Sequence, residues 1–265
     1  MNNTNLKAFQ EYANGFDLTE PRLKSKLHHS IRVADITEEI GASIFNNNEI
    51  IDLCYNIGLL HDVGRFPQWT KYQSFNDFRS VDHADYSCDM LFGETKLIKV
   101  FSIPEKWYQY INMATKYHNK LKIDVTELRA TVKEYNLDYV LMLTLCKIIR
   151  DADKLDNFRL WIKRTSVDNH DNLETSGYTQ EILDDFKLKK SCNFKLNKTL
   201  LDRAIGLLAL AYDLNFDMSK RLFKTIAKEY VYSVLSNYGA LLNATDKKLL
   251  ETCSEQLLND FNVAK

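Results

Sequence analysis

Leu59-Leu60-His61-Asp62-Val63-Gly64-Arg65 is the stretch on which the reading of this chain turns. An apolar helical run, Glu49 to Asp62, closes there by presenting an imidazole and a carboxylate on successive residues, and Gly64 supplies its end. Adjacent helical residues point about 100° apart. His61 and Asp62 therefore converge on one ion only where the helix end faces a polar cavity. Outward from this point the same chemistry recurs, in His29-Ser30-Ile31-Arg32-Val33 upstream, in His83 and His118 downstream, and in the run Arg150-Asp151-Ala152-Asp153-Lys154-Leu155-Asp156-Asn157. Five of the six histidines fall in or beside these segments, so the imidazoles are concentrated rather than scattered. Imidazole together with carboxylate suits Mn, Fe, Ni, Co or Zn, whereas an all-oxygen set would suggest Mg or Ca.

The surrounding pattern is helical. Eight glycines and three prolines in 265 residues leave few turns, and no Gly/Ser/Pro-rich linker interrupts the chain, which predicts a single all-α domain over 1–265. A short helix is expected over 5–14. Thr19-Glu20-Pro21 then offers a cap with proline at the start of a long helix to about Phe45. On that helix His29, Val33, Ile36 and Ile40 form one inward stripe, while His28 shares a face with Arg32 and Asp35. Periodicity thus favours His29 over His28. From Phe66 to Ser80 aromatics alternate with polar residues without a period, which reads as a lid beside the site or as a surface loop tucked down by its rings. Ser80 is the expected N-cap of a helix carrying His83. Pro104 opens a helix ending at His118, a polar segment follows, and an apolar helix runs from Leu137 to Asn157. Residues 165–198 lose the apolar pattern, with a turn at Asn169 to Asn172 that leaves His170 solvated, before three helices at about 199–213, 217–237 and 245–260.

Composition narrows the function classes. A formal charge of −1 and a pI near 6.6 give no global attraction to a nucleic-acid polymer or an anionic membrane, so an anionic substrate must be held locally. The longest apolar stretch, Ala204 to Tyr212, is about half of a membrane span. The polar start, Met1 to Lys7, has no signal-peptide core. Five scattered cysteines without Cys-x-x-Cys spacing indicate neither a disulfide framework nor a zinc knuckle. A cytoplasmic protein is expected.

The order His, His-Asp, His, His, Asp resembles that of the HD-domain superfamily, metal-dependent phosphohydrolases with an all-helical core, over roughly residues 20–160, leaving 161–265 as a polar connection and C-terminal helical extension. The closest pattern is that of HD proteins whose motif continues His-Asp-(Val/Ile)-Gly-Arg-Phe-x-Gln, here His61 to Gln68. In the binuclear members this resemblance implies that His29, His61, Asp62 and Asp153 hold one ion and that Asp62, His83 and His118 hold the other. One or two divalent transition-metal ions are therefore the expected cofactors. Asp62, common to both sets, is the bridge that the resemblance implies, and two ions about 3.5 to 4 Å apart can share a hydroxide nucleophile.

Asp151 and Asp153 point about 200° apart on a helix, so only one can serve. Asp153 lies nearer the apolar face, and Asp151 neighbours Lys147 and Lys154 in what reads as a solvated ion pair. Ala152-Asp153-Lys154-Leu155-x-Asn157 is also similar to the Ala-Asp-Arg-Leu-x-Asn segment of the ppGpp hydrolases, which favours Asp153. Arg65 stands where a lysine follows His-Asp-x-Gly in the HD-GYP cyclic-dinucleotide phosphodiesterases, and its planar fork suits phosphate. The Gly-Tyr-Pro signature itself is missing, which argues against a cyclic dinucleotide. Arg65 and Asp62 are the expected catalytic residues, with Arg65, Gln68, Lys120 and Lys154 as substrate-binding candidates. The resemblance implies hydrolysis of a phosphoester of a small metabolite or nucleotide by a metal-activated hydroxide. Di-iron oxygenases of the same fold share the six-ligand order and form the alternative.

Overall fold

The computed structural model describes residues 3–164, 173–193 and 196–261. Among them the protein is all-α, with one isolated parallel bridge between Glu174 and Thr199. No described helix is long and apolar enough to cross a membrane. The chain forms two compact units, Met1–Asp153 and Lys154–Lys265.

The first unit contains α1 (Asn3–Asn14), α2 (Pro21–Ala42), α3 (Asn48–Leu60), α4 (Arg65–Tyr72), α5 (His83–Phe92), α6 (Tyr108–Tyr117), α7 (Val125–Tyr135) and the first part of α8 (Tyr139–Arg164). Pro21 occupies the first turn of α2, where its missing N–H costs nothing, and the Glu20 carboxylate accepts from the Arg22 N–H. The inward stripe of α2 is as periodicity predicts: His29, Val33, Ile36 and Ile40 are buried and His28 is exposed. This stripe packs on α3, which buries Leu53, Ile57 and Leu60. Gly58 permits the close approach. A Cβ there would lie 2.4 Å from Thr37 Oγ1, 2.7 Å from Ala34 Cα and 2.8 Å from Val33 O.

The chain departs from expectation just beyond. The α3 helix ends at Leu60 rather than Asp62, and Gly64 keeps a helical backbone, with φ of −64°. Gly64 is needed for space instead, because a Cβ would come within 2.6 Å of Ser87 N and 3.0 Å of His83 O on α5. Tyr12 of α1 donates from its hydroxyl to Val63 O at 2.9 Å. Phe9, Tyr12 and Phe16 also pack their rings on Phe66, with centroids 5.4 to 6.0 Å apart, so α1 clamps the His-Asp turn. The stretch read as a loop from Phe66 begins as helix α4. Only 73–82 is irregular, and it contains a short 3-10 turn, Asp77–Arg79. Ser80 does not cap α5: Asp82 does, accepting from Ala84 N and Asp85 N. The polar segment after His118 contains α7, which buries only Leu128.

The second unit holds α9 (Gln180–Lys187), α10 (Leu200–Ala209), α11 (Asp217–Tyr238) and α12 (Ala244–Asp260), together with the end of α8. The last three match the expected helices closely, whereas α9 was not expected. Buried Asp202 closes a capping box with Thr199 and also accepts from Thr179 N and Oγ1, tying α9 to α10. Phe158 packs against Phe223 at 4.6 Å and Tyr230 at 6.2 Å. The turn expected at 169–172, with His170, lies outside the described residues.

Because the atoms facing Gly58 are largely backbone, Gly58→Ala should destabilise the protein by about 1–3 kcal/mol, the usual cost of overpacking. A urea titration should show a lower midpoint at unchanged m-value. An unchanged midpoint would mean that the α2–α3 contact is looser than described.

Candidate metal centre

Five elements deliver the polar cluster. His29 comes from the buried stripe of α2, and His61 and Asp62 from the end of α3. His83 is the first residue of α5, His118 the C-cap of α6, and Asp153 lies on α8. Asp62 is 2 % exposed and sits at the centre. Its Oδ2 is 3.6 Å from His29 Nε2 and 3.8 Å from His61 Nε2, while Oδ1 is 3.7 Å from both His83 Nε2 and His118 Nε2. Each oxygen of one carboxylate thus faces a different pair of imidazoles. Asp153 Oδ1 completes the first set, at 3.1 Å from His29 Nε2 and 3.8 Å from His61 Nε2. The structure therefore brings together all six residues read from the sequence as ligands.

The outer partners fix which way each ring faces. His61 Nδ1 donates to Gly58 O at 2.7 Å and His118 Nδ1 to Thr115 O at 2.6 Å. A carbonyl only accepts, so the inward Nε2 of each ring carries the lone pair when the imidazole is neutral. His83 Nδ1 lies 2.5 Å from the Asp77 carboxylate, which sets the same tautomer. His83 Nε2 and His118 Nε2 face each other at 3.0 Å. Burial, reinforced by neighbouring imidazoles, pushes His118 down to about 3, so its Nε2 presents a lone pair to the cluster. Burial likewise lowers His61. Burial alone would raise Asp62 and Asp153, but it is outweighed, first by the Lys26 ammonium for Asp62 and first by the hydrogen bond with His29 for Asp153. Both carboxyls are held well below their usual range.

Among the described residues, His61 Nε2 and Asp62 Oδ1 are buried without a hydrogen-bond partner. His29, His61 and Asp153, and again His61, Asp62 and His118, each bring ligand atoms within 4.8 Å of one another. Anionic carboxylates, neutral imidazoles and inward lone pairs form a donor set that fits divalent transition ions.

Several contacts that hold this set were not foreseen. Asp77 joins His83, Arg65 (3.0 Å) and Gln68 (3.1 Å), and these bonds outweigh its partial burial to lower its pKa. Lys26 reaches Asp62 Oδ2 at 2.8 Å. Arg150 of α8 donates to Tyr117 O, Lys120 O and Leu121 O, closing the end of α6 next to His118.

The expected substrate residues divide. Arg65 lies at the site, with Nε 3.6 Å from Asp62 Oδ1 and without a hydrogen-bond partner. Gln68 is fully buried, and its Nε2 donates to Asp77, Ser80 Oγ and Val81 O. It holds the 73–82 loop rather than facing a substrate. Lys120 pairs with Asp82 at 2.8 Å and Asp85 at 2.9 Å, clamping the first turn of α5. Lys154 pairs with Asp213 in the second unit. Asp151, expected in a solvated pair, is fully buried because α8 is enclosed around that turn, where Arg150 and Ala152 are buried too.

The all-helical core gathers histidines and aspartates into groups that could hold a metal ion. The family model of the HD domain, an all-helical domain of a superfamily of metal-dependent hydrolases, matches residues 27–157, consistent with membership of the HD-domain superfamily. No curated protein and no solved structure matches the chain.

Asp77→Asn should weaken metal binding about 10- to 100-fold, the usual effect of removing a carboxylate behind a ligating histidine. Metal titration of folded variant protein, checked by far-UV circular dichroism, measures this. Unchanged affinity would show that His83 needs no partner.

Proposed function

We propose that the protein is a phosphohydrolase that cleaves the phosphoester of a small metabolite or nucleotide, with one ion held by His29, His61, Asp62 and Asp153 and a second by Asp62, His83 and His118. The observation that carries this reading is the bridging posture of Asp62, whose two oxygens face two separate sets of donors, beside a guanidinium with a free N–H. Divalent ions held there supply Lewis acidity and lower the pKa of water.

The side chains of the protein do the rest. Burial disfavours the charged forms of His61 and His118, so these two imidazoles keep their lone pairs for ligation. Asp62 and Asp153 contribute the negative charge that makes the site selective for cations. Arg65 is fixed from behind, its NH1 donating to Gln68 Oε1 at 2.8 Å and to Phe75 O at 2.9 Å, so that Nε stays turned toward the Asp62 side. A guanidinium held this way orients a phosphoryl group and stabilises its growing charge without reorganising. The ring of Phe75, 5.5 Å from the Arg65 guanidinium, gives that side of the site an apolar wall.

Arg65→Ala should keep its metal and lose turnover equivalent to about 2–4 kcal/mol of barrier, as for other electrostatic stabilisers. Arg65→Lys should recover part of it, since an ammonium keeps the charge and loses the fork. Metal analysis and a panel of phosphomonoesters and phosphodiesters test this together. Full activity in Arg65→Ala contradicts the role of Arg65. If the panel stays uncleaved while reduced, iron-loaded protein consumes oxygen, the di-iron oxygenase reading replaces the hydrolase.

A further inference from the structure

Lys26 lies one turn before His29 on α2, and its ammonium is 2.8 Å from Asp62 Oδ2, the oxygen that also faces His29 and His61. It therefore stands on the lone pairs that the first ion would use. The side chain is 16 % exposed, while Asp62 is 2 % exposed, so the ammonium reaches the carboxylate from the solvent side. Its Nζ lies 5.9 Å from the Phe75 ring centroid, and the Arg65 guanidinium lies 5.5 Å from the same ring. Phe75 thus has two cations beside it. One is bonded to the loop from behind, and the other is bonded to the oxygen that a metal would take.

An ammonium and a divalent ion on one carboxylate oxygen repel each other at such separation in a buried site, so binding of the ion disfavours the position Lys26 takes on Asp62 Oδ2. The four-carbon stem of lysine lets the ammonium retreat outward along the Phe75 face toward Arg65. We infer that Lys26 is an internal counterion of the metal-free site: metal binding displaces its ammonium from Asp62 to the mouth of the site, where it joins Arg65 as a second phosphate-binding cation. The metal half of this inference depends only on the cluster, and the phosphate half rests on the phosphohydrolase reading. One residue would then oppose metal binding and favour phosphate binding, a combination that a purely structural ion pair does not produce.

Lys26→Met, Lys26→Gln and Lys26→Arg separate the effects. Calorimetric titration of metal-stripped protein with Mn²⁺ should show about tenfold or tighter binding in Lys26→Met, because a competing charge has gone. Titration of Mn²⁺-loaded protein with inorganic phosphate should show about tenfold or weaker binding in the same variant. Lys26→Arg should leave both near wild type, and Lys26→Gln serves if the methionine variant fails to fold. Unchanged or weaker Mn²⁺ binding in a folded, uncharged variant overturns the counterion role. Tighter Mn²⁺ binding with unchanged phosphate affinity overturns the displacement to the mouth. Neither titration requires turnover, so an uncleaved substrate panel would count against the proposed activity and leave this result standing.

Discussion

Asp62 is a buried carboxylate surrounded by imidazoles that present lone pairs, an arrangement stable only with positive charge inside it. In the structure Lys26 supplies some of that charge at 2.8 Å and Arg65 lies at 3.6 Å. Much of the first unit reads as the means of holding this set together. Gly58 lets α2 and α3 approach until His29 and His61 share one carboxylate oxygen, Gly64 lets α5 bring His83 to the other, and Tyr12 ties the intervening turn to α1. Arg150 secures the end of α6, so that the element carrying His118 is fastened to the one carrying Asp153.

The bonds behind the ligands matter as much as the ligands. Each Nδ1–H given to Gly58 O, Thr115 O or Asp77 removes the tautomer that would point a proton inward. Asp77 does this for His83 while also gripping Arg65, so the 73–82 loop is coupled to a candidate ligand of the cluster. A change in that loop would therefore register in metal affinity.

The candidate ligands were legible through the resemblance carried by the order His, His-Asp, His, His, Asp, and periodicity then chose between neighbours. A shift of one residue turns a helical side chain by about 100°, which separates His29 from exposed His28. Asp153 was legible for a similar reason, yet the surroundings of Asp151 were not, since charged neighbours in sequence say nothing about what packs over the helix. The α7 helix escaped because a surface helix with one buried residue, Leu128, leaves no apolar stripe. For α9 a signal existed in Ile182, Leu183 and Phe186, obscured by the polar tract around it. Gly64 looked like a helix terminator when its role is room for a neighbour. Lys26 could have been found one turn before His29, whereas nothing local marks Asp77, whose partners His83 and Arg65 meet it only through the fold.

The central claim is that Asp62 joins two cation sites into one centre. Metal-stripped protein titrated with Mn²⁺ and followed by electron paramagnetic resonance tests it directly. The account predicts saturation at two ions per chain with the spectrum of a spin-coupled pair, and in Asp62→Asn at most one tightly held ion with an isolated spectrum. Saturation of the wild type at a single ion, or two ions without coupling, would contradict it.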